Sequence, residues 1–276
     1  MTVGVCGLGL IGGSMAKAYK LSGHTVLGFD KDTATQGYAS LAGIIDGELN
    51  EKNVSECDLI FIALYPQAAI KYLEGISPLL SKESVIIDLC GTKKQICRRG
   101  FDLADKYGFT FVGGHPMAGV QYSGIKYAKA TLFKNAPMVL VPPICDDIAF
   151  LNKIKQMLSP AGFGKITVTD ADSHDKMIAF TSQLAHIVSN SYVKSETAKG
   201  HKGFSAGSYK DMTRVAWLNE NMWTELFLEN KEPLLFEIDS IIKSLSEYRD
   251  AIANDDSELL KALLRDGRIA KKEIDG

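Results

Sequence analysis

The chain has 276 residues, which predicts two domains because single hydrophobic cores stop growing near about 250–300 residues. Hydrophobic residues make up 46% and charged residues 23% of the chain, which excludes wholesale disorder, a collagen-like fibre and a disulfide miniprotein. The net charge is only −2, so the surface offers no general attraction for nucleic acid or an anionic membrane. An anionic small-molecule ligand must therefore be met by a few local cations.

The cysteines and histidines do not indicate a disulfide framework or a metal centre. The five cysteines contain no C-x-x-C pair and the five histidines no H-E-x-x-H spacing, so we expect reduced thiols in a cytoplasmic protein without a metal. The N-terminus lacks the basic region and cleavage site of a signal peptide. The longest apolar run, residues 59–64, is too short to span a bilayer.

Short β-rich runs alternate with helical stretches over the first part of the chain. Strands are predicted at residues 2–6, 25–30, 57–64, 84–88, 109–114, 138–141 and 165–169, and helices at 12–21, 66–80, 94–106 and 146–158. The continuous apolar run of the third strand is typical of a strand buried on both faces of a parallel sheet. This alternation predicts an α/β domain over residues 1–168, with a Rossmann-type, doubly wound parallel sheet.

The pattern changes after residue 169, and no further strand is predicted. Residues 172–197 form one long helical pattern, and the Gly/Ser-rich residues 199–208 are predicted to be a loop. Asp255 and Glu258 resemble a capping box that opens a last helix through residue 270. We therefore expect an all-α domain over residues 169–276. Its amphipathic helices are long for a small domain, so their excess apolar face predicts a homodimer.

A glycine-rich turn follows the first predicted strand. The G-x-G-x-x-G motif consists of Gly7, Leu8, Gly9, Leu10, Ile11 and Gly12. It opens a helix and lies 18 residues before Asp30, which together form the context typical of dinucleotide binding. Gly7 would permit the tight turn, Gly9 the approach of a pyrophosphate, and Gly12 close packing of helix and strand. The alternative is a glycine turn that binds nothing.

Asp30 is the residue that would select between NAD and NADP. A carboxylate at the end of the second strand accepts hydrogen bonds from ribose hydroxyls and repels a 2′-phosphate. The sequence therefore favours NAD over NADP, although the adjacent Lys31 would weaken that preference. The alternative is that Asp30 is a simple turn residue.

His115 is the candidate catalytic residue. It lies in the string GGHPMAG, residues 113–119, directly after a predicted strand. Loops beyond the carboxyl ends of parallel strands line the ligand crevice of such sheets, so we expect His115 on a loop at the site. A lone loop histidine is more often incidental, and only the surrounding string favours catalysis.

Several motifs in the same order resemble the prephenate/arogenate dehydrogenase family of tyrosine biosynthesis, over nearly the whole chain. They are the glycine turn, DxxGTxK at residues 88–94, GHPMAG at 114–119, HD at 174–175, KDMTRVA at 210–216 and MW at 222–223. The resemblance implies NAD-dependent oxidative decarboxylation of prephenate to 4-hydroxyphenylpyruvate. It also implies that the helical domain dimerises.

The resemblance assigns roles to individual side chains. It implies that His115 is catalytic, that Thr92 supplies a hydroxyl in the catalytic site, and that Arg214 holds a substrate carboxylate. The substrate-binding candidates are Arg214, His186, Gln121, Ser182 and Lys210. A neutral imidazole can take the proton that the C4 hydroxyl of prephenate loses as its hydride leaves. Arg214 offers a rigid bidentate fork for one of the two carboxylates of the substrate.

The chain departs from the family pattern on the long helix. The family commonly has Ser-His-x-Pro-His, whereas this chain has Ser-Gln-Leu-Ala-His at residues 182–186. With Gln183 and Ala185 in place of histidine and proline, we expect a straighter helix and the loss of one contact. His186 is either a substrate contact or a buried histidine satisfied by its neighbours. Gln121 cannot supply a charge for the ammonium of arogenate, which favours prephenate, or it is a rim residue.

Three alternatives remain open on sequence alone. The first is arogenate dehydrogenase, which would produce tyrosine directly. The second is a 3-hydroxyacid dehydrogenase or imine reductase, although those families centre catalysis on a helical-domain lysine or hydroxyl rather than on a histidine. The third is a non-catalytic protein that senses NAD through the same glycine turn, which would leave His115, Arg214 and Thr92 unexplained as a group.

Overall fold

The computed structural model describes residues 1–120 and 122–275. Eight strands form one sheet: β1 Thr2–Cys6, β2 Thr25–Phe29, β3 Gly47–Glu48, β4 Leu59–Ile62, β5 Val85–Asp88, β6 Thr110–Pro116, β7 Pro137–Val141 and β8 Lys165–Val168. Their spatial order is β3-β2-β1-β4-β5-β6-β7-β8. The order reverses between β1 and β4, and in open α/β sheets such a reversal opens a crevice for ligands at the carboxyl ends of the strands.

Helices cover both faces of the sheet. They are α1 Leu10–Leu21, α2 Thr33–Leu41, α3 Pro66–Ile76, α4 Lys94–Tyr107 and α5 Ile148–Leu158. Alternate residues of β4 enter different apolar clusters: Leu59 and Phe61 pack with α1 and α5, whereas Ile60 and Ile62 pack with α3 and α4. Burial on both faces explains why this strand is continuously apolar.

The Rossmann-type sheet is confirmed, but one pairing differs from the prediction. Neighbouring strands run parallel except for β6 and β7, which are antiparallel. A parallel connection needs a crossover, usually a helix, whereas an antiparallel one needs none. Between these two strands the structure describes only the short 3-10 helix Ile125–Tyr127, so the chain returns alongside β6 in the opposite direction.

Only helices follow the sheet in the described part of the chain. They are α6 Ala171–Ile178, the π-helical segment Ala179–Leu184, α7 Ala185–Tyr192, the 3-10 helix Glu196–Gly200, α8 Gly207–Thr213, α9 Glu220–Glu229, α10 Lys231–Ala253 and α11 Ser257–Asp275. The predicted boundary between residues 168 and 169 falls in the connection between β8 and α6. Over residues 1–120 and 122–275, none of the helices is both long and apolar enough to cross a membrane.

The long helical pattern predicted over residues 172–197 is present as far as Tyr192, where α7 ends, but a π-helical segment interrupts it. Two side chains compete for backbone carbonyls around this segment. The hydroxyl of Thr181 donates to the carbonyl oxygen of Met177, and Nδ1 of His186 lies 2.8 Å from the carbonyl oxygen of Ser182. Such competition loosens the regular ladder of an α-helix, and π-helical segments are frequent at functional sites.

Candidate active site

The turn between β1 and α1 requires glycine at two positions, 7 and 12. Gly7 has φ +88°, a left-handed conformation that favours glycine. A Cβ atom on Gly12 would lie 1.8 Å from the carbonyl oxygen of Gly7. Only glycine at position 12 therefore lets α1 start this close to the turn.

Gly9 faces open space at the N-terminus of α1. Among the residues that the structure describes, a Cβ atom there would meet nothing within 4 Å, and no side chain caps the helix. The first N–H groups of α1 therefore remain available, as an anion at a helix N-terminus requires. Beside Gly9, Leu8 is buried in the core, whereas Leu10 and Ile11 in the first turn of α1 are partly buried.

Asp30 lies directly after β2 with its carboxylate oriented by the glycine turn. One oxygen accepts from the backbone N–H of Leu8 at 2.8 Å and the other from that of Asp32 at 2.9 Å. Each oxygen keeps a further lone pair for a ribose hydroxyl. The open space at Gly9, the uncapped helix and this carboxylate together fit a dinucleotide.

His115 lies inside strand β6 and not on a loop, which corrects the sequence-based expectation. It pairs with Val139 of β7, and this antiparallel pairing extends the strand through Pro116. The preceding Gly114 also donates its N–H to the carboxylate of Asp88 at 3.3 Å. The imidazole is thus held by a strand near the carboxyl edge of the sheet, where local motion is smaller than in a loop.

The surroundings of His115 favour the neutral form of its imidazole. Burial lowers its pKa well below the usual value, and the neighbouring His174 and the cation of Lys93 lower it further. Nδ1 of His115 lies 2.9 Å from Nε2 of His174. A neutral imidazole in this position can accept a proton from a ligand.

A buried ion pair lies close to His115 and was not predicted. The side chains of Lys93 and Asp88 are both 0% exposed and form a salt bridge. Asp88 also accepts from the backbone N–H of Cys90 at 3.0 Å. Burial is the largest influence and opposes the charge on Lys93, but attraction to Asp88, Cys90 and Cys97 and the hydrogen bond to Asp88 together raise the pKa of Lys93. The cationic form of Lys93 is therefore favoured near the imidazole.

Thr92 lies in the loop after β5 and is almost completely buried. Its hydroxyl donates to Oε2 of Glu229 at the end of α9, 2.7 Å away. Within residues 1–120 and 122–275 it makes no hydrogen bond to His115. Glu229 was not predicted either, and no local pattern in the sequence singles it out.

A second group of predicted residues surrounds His186. Its ring packs against Trp223 with the ring centroids 4.1 Å apart. Burial lowers the pKa of His186, and the cation of Arg214 lowers it further. Arg214 is exposed just after α8, and the exposed Lys210 lies one helical turn earlier, so both cations face the same way.

The predicted residues therefore fall into two groups, one around His115 and one around His186. In the part of the chain that the structure describes, no hydrogen bond or ring contact joins the two groups. Ser182 contributes its backbone oxygen to the bond with His186. Gln121 lies outside the described residues.

Gln183 shows what replaces the histidine that the family commonly has. Its side chain is 1% exposed, with Nε2 donating to the carbonyl oxygen of Leu226 and Oε1 accepting from the amide of Asn230. The Asn230 amide also donates to the backbone oxygen of Asp175. Gln183 is thus part of a satisfied, buried amide network between helices.

A Rossmann-type sheet with an open glycine turn, covered at its carboxyl edge by a helical half, defines a dinucleotide-dependent dehydrogenase. Family comparisons narrow this class. The model described as "Prephenate dehydrogenase, nucleotide-binding domain" matches residues 15–168, and the one described as "Prephenate dehydrogenase, dimerization domain" matches residues 170–266. The chain belongs to the prephenate dehydrogenase family.

Individual relatives agree with this assignment. The prephenate dehydrogenase of Bacillus subtilis is 31% identical, over 100% of this chain and 76% of the relative. The structure of Synechocystis arogenate dehydrogenase is similar with a TM-score of 0.81 at 26% identity, covering 99% of this chain and 100% of the other. That of Aquifex aeolicus prephenate dehydrogenase with hydroxyphenyl propionate and NAD+ has a TM-score of 0.80 at 27% identity, covering 99% and 98%.

Proposed function

We propose that this protein is an NAD-dependent prephenate dehydrogenase that converts prephenate to 4-hydroxyphenylpyruvate and carbon dioxide. Membership of the family and the names of its relatives support the reaction class. The observation that carries the proposal is the partly buried imidazole of His115 in strand β6, at the carboxyl edge of the sheet, whose pKa burial lowers well below the usual value. The same place in the fold receives the ligand in open α/β sheets.

The glycine turn and Asp30 hold the cofactor in this proposal. The N–H groups at the start of α1 bind the pyrophosphate in the open space at Gly9. The carboxylate of Asp30 binds the adenosine ribose, which favours NAD over NADP. When bound, the nicotinamide supplies the acceptor for a hydride.

His115 handles the proton of the reaction. The hydroxyl on C4 of prephenate gives its proton to the imidazole as the hydride leaves the same carbon. The bond from the ring to its carboxylate then breaks, carbon dioxide leaves, and the bonding electron pair makes the ring aromatic. The phenolate oxygen that results takes the proton back from the imidazole, so the reaction consumes and releases no net proton.

The helical half binds the doubly anionic substrate. Lys210 on α8 and Arg214 just after it are exposed cations one helical turn apart, and a guanidinium gives a carboxylate two parallel hydrogen bonds. We assign Arg214 to one substrate carboxylate, with Lys210 as supporting charge. His186 and Ser182 border the substrate from α7 and the π-helical segment, and Thr92 lies on the sheet side. The substrate then joins the two groups of site residues.

Arogenate dehydrogenase is the second candidate. The similarity to the Synechocystis arogenate dehydrogenase favours it, and arogenate differs from prephenate only in carrying an ammonium group in place of the side-chain ketone. A site for arogenate needs an acceptor for that ammonium. Gln121 offers an amide oxygen and no charge at the position where some family members carry an acid, which favours prephenate.

Turnover of the two substrates tests these proposals. NADH formation is measured with prephenate and with arogenate at matched concentrations, and we expect faster reaction with prephenate. In His115→Asn we expect kcat to fall by about 10²–10⁴-fold, with binding of NAD retained. Full activity in that variant would refute the mechanism. If the unaltered protein oxidises neither prephenate nor arogenate, the remaining alternative is a non-catalytic protein that senses NAD.

We also propose a homodimer that forms through the helical half. Apolar side chains at helical spacing lie exposed along α10, namely Leu235, Ile242, Leu245 and Ile252. Exposed apolar stripes of this kind mark interfaces, and residues 170–266 match the dimerization domain of the family. Sedimentation should show a dimer for the protein and a smaller species for Leu245→Glu. The adjacent exposed Lys243→Glu is the matched control and should remain dimeric.

The cysteines support a reducing compartment, and we propose the cytoplasm. All five are unpaired, and four of them are buried. Burial raises the pKa of the Cys57 thiol to about 12, so this thiol resists oxidation and packs as an apolar side chain. Cell fractionation of a tagged chain would test the assignment.

A further inference from the structure

Two side chains of the helical half, His174 and Asp175, form a hydrogen-bonded link to the imidazole of His115. Nδ1 of His115 lies 2.9 Å from Nε2 of His174, and Nδ1 of His174 lies 2.7 Å from Oδ1 of Asp175. The carboxylate of Asp175 in turn accepts the backbone N–H groups of Lys93 and Lys94, at 2.7 and 2.9 Å. His174 and Asp175 are both 3% exposed. The link therefore runs from the start of α4, through α6, into β6.

The donors and acceptors of this link can have only one arrangement while both rings are neutral. Asp175 is surrounded by donors, so its oxygens accept and Nδ1 of His174 must carry the hydrogen. Nε2 of His174 then has a lone pair, and the hydrogen between the two rings must belong to Nδ1 of His115. The nitrogen of His115 left to accept a proton from a ligand is Nε2.

The surroundings keep both rings neutral. Burial lowers the pKa of His174 more than its bond to Asp175 raises it, and the cation of Lys93 lowers it further. The pKa of His115 is lowered by burial, by His174 and by Lys93. A charged His174 would present an N–H to His115 and reverse the arrangement, so the buried cation of Lys93 protects it.

We propose that His174 and Asp175 are positioning residues that fix His115 as the Nδ1–H tautomer, with Nε2 as the base. The role in turnover rests on the proposed function, whereas the tautomer itself does not. The carboxylate orients the inner ring, which orients the outer ring. Because Asp175 is bound to the start of α4, the base is ready only when α6 is seated against the sheet half.

Asp175→Asn is the sharpest test, because the amide can reverse every hydrogen in the link. With its NH₂ group in the place of Oδ1, the asparagine donates to Nδ1 of His174, and its oxygen in the place of Oδ2 still accepts from the backbone N–H of Lys94, whereas the backbone N–H of Lys93 loses its acceptor. His174 then donates from Nε2, and His115 is forced into the Nε2–H tautomer, which cannot accept the proton. We expect kcat to fall by about 10²–10⁴-fold, with KM and the Kd of NAD unchanged.

The tautomer is read directly by nitrogen NMR of the protein with NAD bound and its histidines labelled, with His115→Asn identifying the signal. The protein should show hydrogen on Nδ1 of His115, and Asp175→Asn should show it on Nε2. Asp172→Asn is the matched control, because Asp172 is an exposed carboxylate on the same helix whose partner is the side chain of Lys94. It should change neither the tautomer nor kcat.

A second pair of variants covers the case in which Asp175→Asn does not fold. In His174→Gln the side-chain oxygen can still accept from Nδ1 of His115, whereas in His174→Leu nothing can. We expect kcat to be higher in the glutamine variant, with equal NAD binding in both. Equal kcat in the pair, or the Nε2–H tautomer in the unaltered protein, would overturn the proposal. If the tautomer of His115 is as expected but prephenate is not oxidised, the proposed function is wrong, whereas the inference that His174 and Asp175 fix the tautomer is still supported.

Discussion

The hydroxyl of Thr92 donates to Oε2 of Glu229 across the boundary between the sheet half and the helical half, at 2.7 Å. The other oxygen of Glu229 accepts from the side-chain amide of Gln67, also at 2.7 Å. Gln67 lies in the first turn of α3, so one carboxylate at the end of α9 links α3 to the loop that follows β5. Glu229 is partly buried, and this burial raises its pKa.

The first prediction concerns a variant in which the hydrogen bonds of Glu229 to Thr92 and Gln67 are removed. Glu229→Ala leaves the hydroxyl of Thr92 without its acceptor and leaves the amide of Gln67 with only Oε1 of Gln95. Loss of hydrogen bonds to a charged group lowers the free energy of unfolding by about 1.5–3 kcal/mol. Urea denaturation measures the loss. Glu247→Ala, an exposed glutamate on α10, is the control and should differ from the unaltered protein by less than about 0.5 kcal/mol. Equal losses in the two variants would contradict the interpretation.

Much of the fold could be predicted because local patterns specify it. The apolar run of β4 and the glycine turn before α1 each identify an element and its surroundings. The direction of β7 could not be predicted, because strand direction depends on a pairing between distant segments. The π-helical segment was missed for a similar reason, since it involves side-chain contacts such as that of Gln183 with Asn230.

Residues of the site could be predicted where they belong to a short, recognisable sequence motif. Gly7, Gly12 and His115 belong to such motifs, although the strand position of His115 was not foreseen. Glu229 escaped prediction because its partner Thr92 lies 137 residues away. The role of His174 likewise depends on a contact with a residue 59 positions earlier, and no local spacing reports it.

The second prediction compares two glycine variants, one expected to weaken cofactor binding and the other expected to destabilise the fold. Gly9→Ala places a methyl group in open space, so the free energy of unfolding should change by less than about 1 kcal/mol. The same methyl group occupies the space assigned to the pyrophosphate, so the Kd of NAD should rise at least about tenfold. Titration calorimetry and urea denaturation measure the two effects. Unchanged NAD affinity in Gly9→Ala would argue against the assigned cofactor position.

Gly12→Ala is the counterpart and should behave in the opposite way. Its methyl group would lie 1.8 Å from the carbonyl oxygen of Gly7, so the turn must distort even without cofactor. We expect a loss of stability of about 1–3 kcal/mol, as for overpacking in a core. A Gly12→Ala variant as stable as Gly9→Ala would show that the turn is not constrained in this way.

The third prediction compares two neighbouring lysines. Lys93→Met leaves the fully buried Asp88 without its partner, and breaking a buried pair from one side destabilises a protein by about 3–5 kcal/mol. Lys94→Met removes an exposed pair with Asp172, which should have an effect of about 0–1 kcal/mol. Thermal and urea denaturation of both variants provide the measurement. Similar stabilities would mean that Asp88 becomes protonated or solvated at little cost.

The fourth prediction concerns pH. Because burial lowers the pKa of His115 well below its usual value, the imidazole stays neutral throughout the neutral range. Activity, measured as kcat/KM for prephenate, should therefore be level there and should decline on acidification only below pH about 6.5. A decline that is already complete at pH 7 would show that the base is not held neutral.

The lowered pKa values of His115 and His174 also predict that the protein becomes less stable as the pH falls. The pKa values of His115 and His174 are lowered in the folded protein, whereas in the unfolded chain they return to about 6.5. Between the folded and unfolded pKa values the unfolded chain binds more protons, so the free energy of unfolding falls as pH decreases below about 6.5. The slope is at most about 1.4 kcal/mol per pH unit for each histidine. Urea denaturation at several pH values should give a smaller slope for His174→Gln, and an equal slope would exclude His174 as its source.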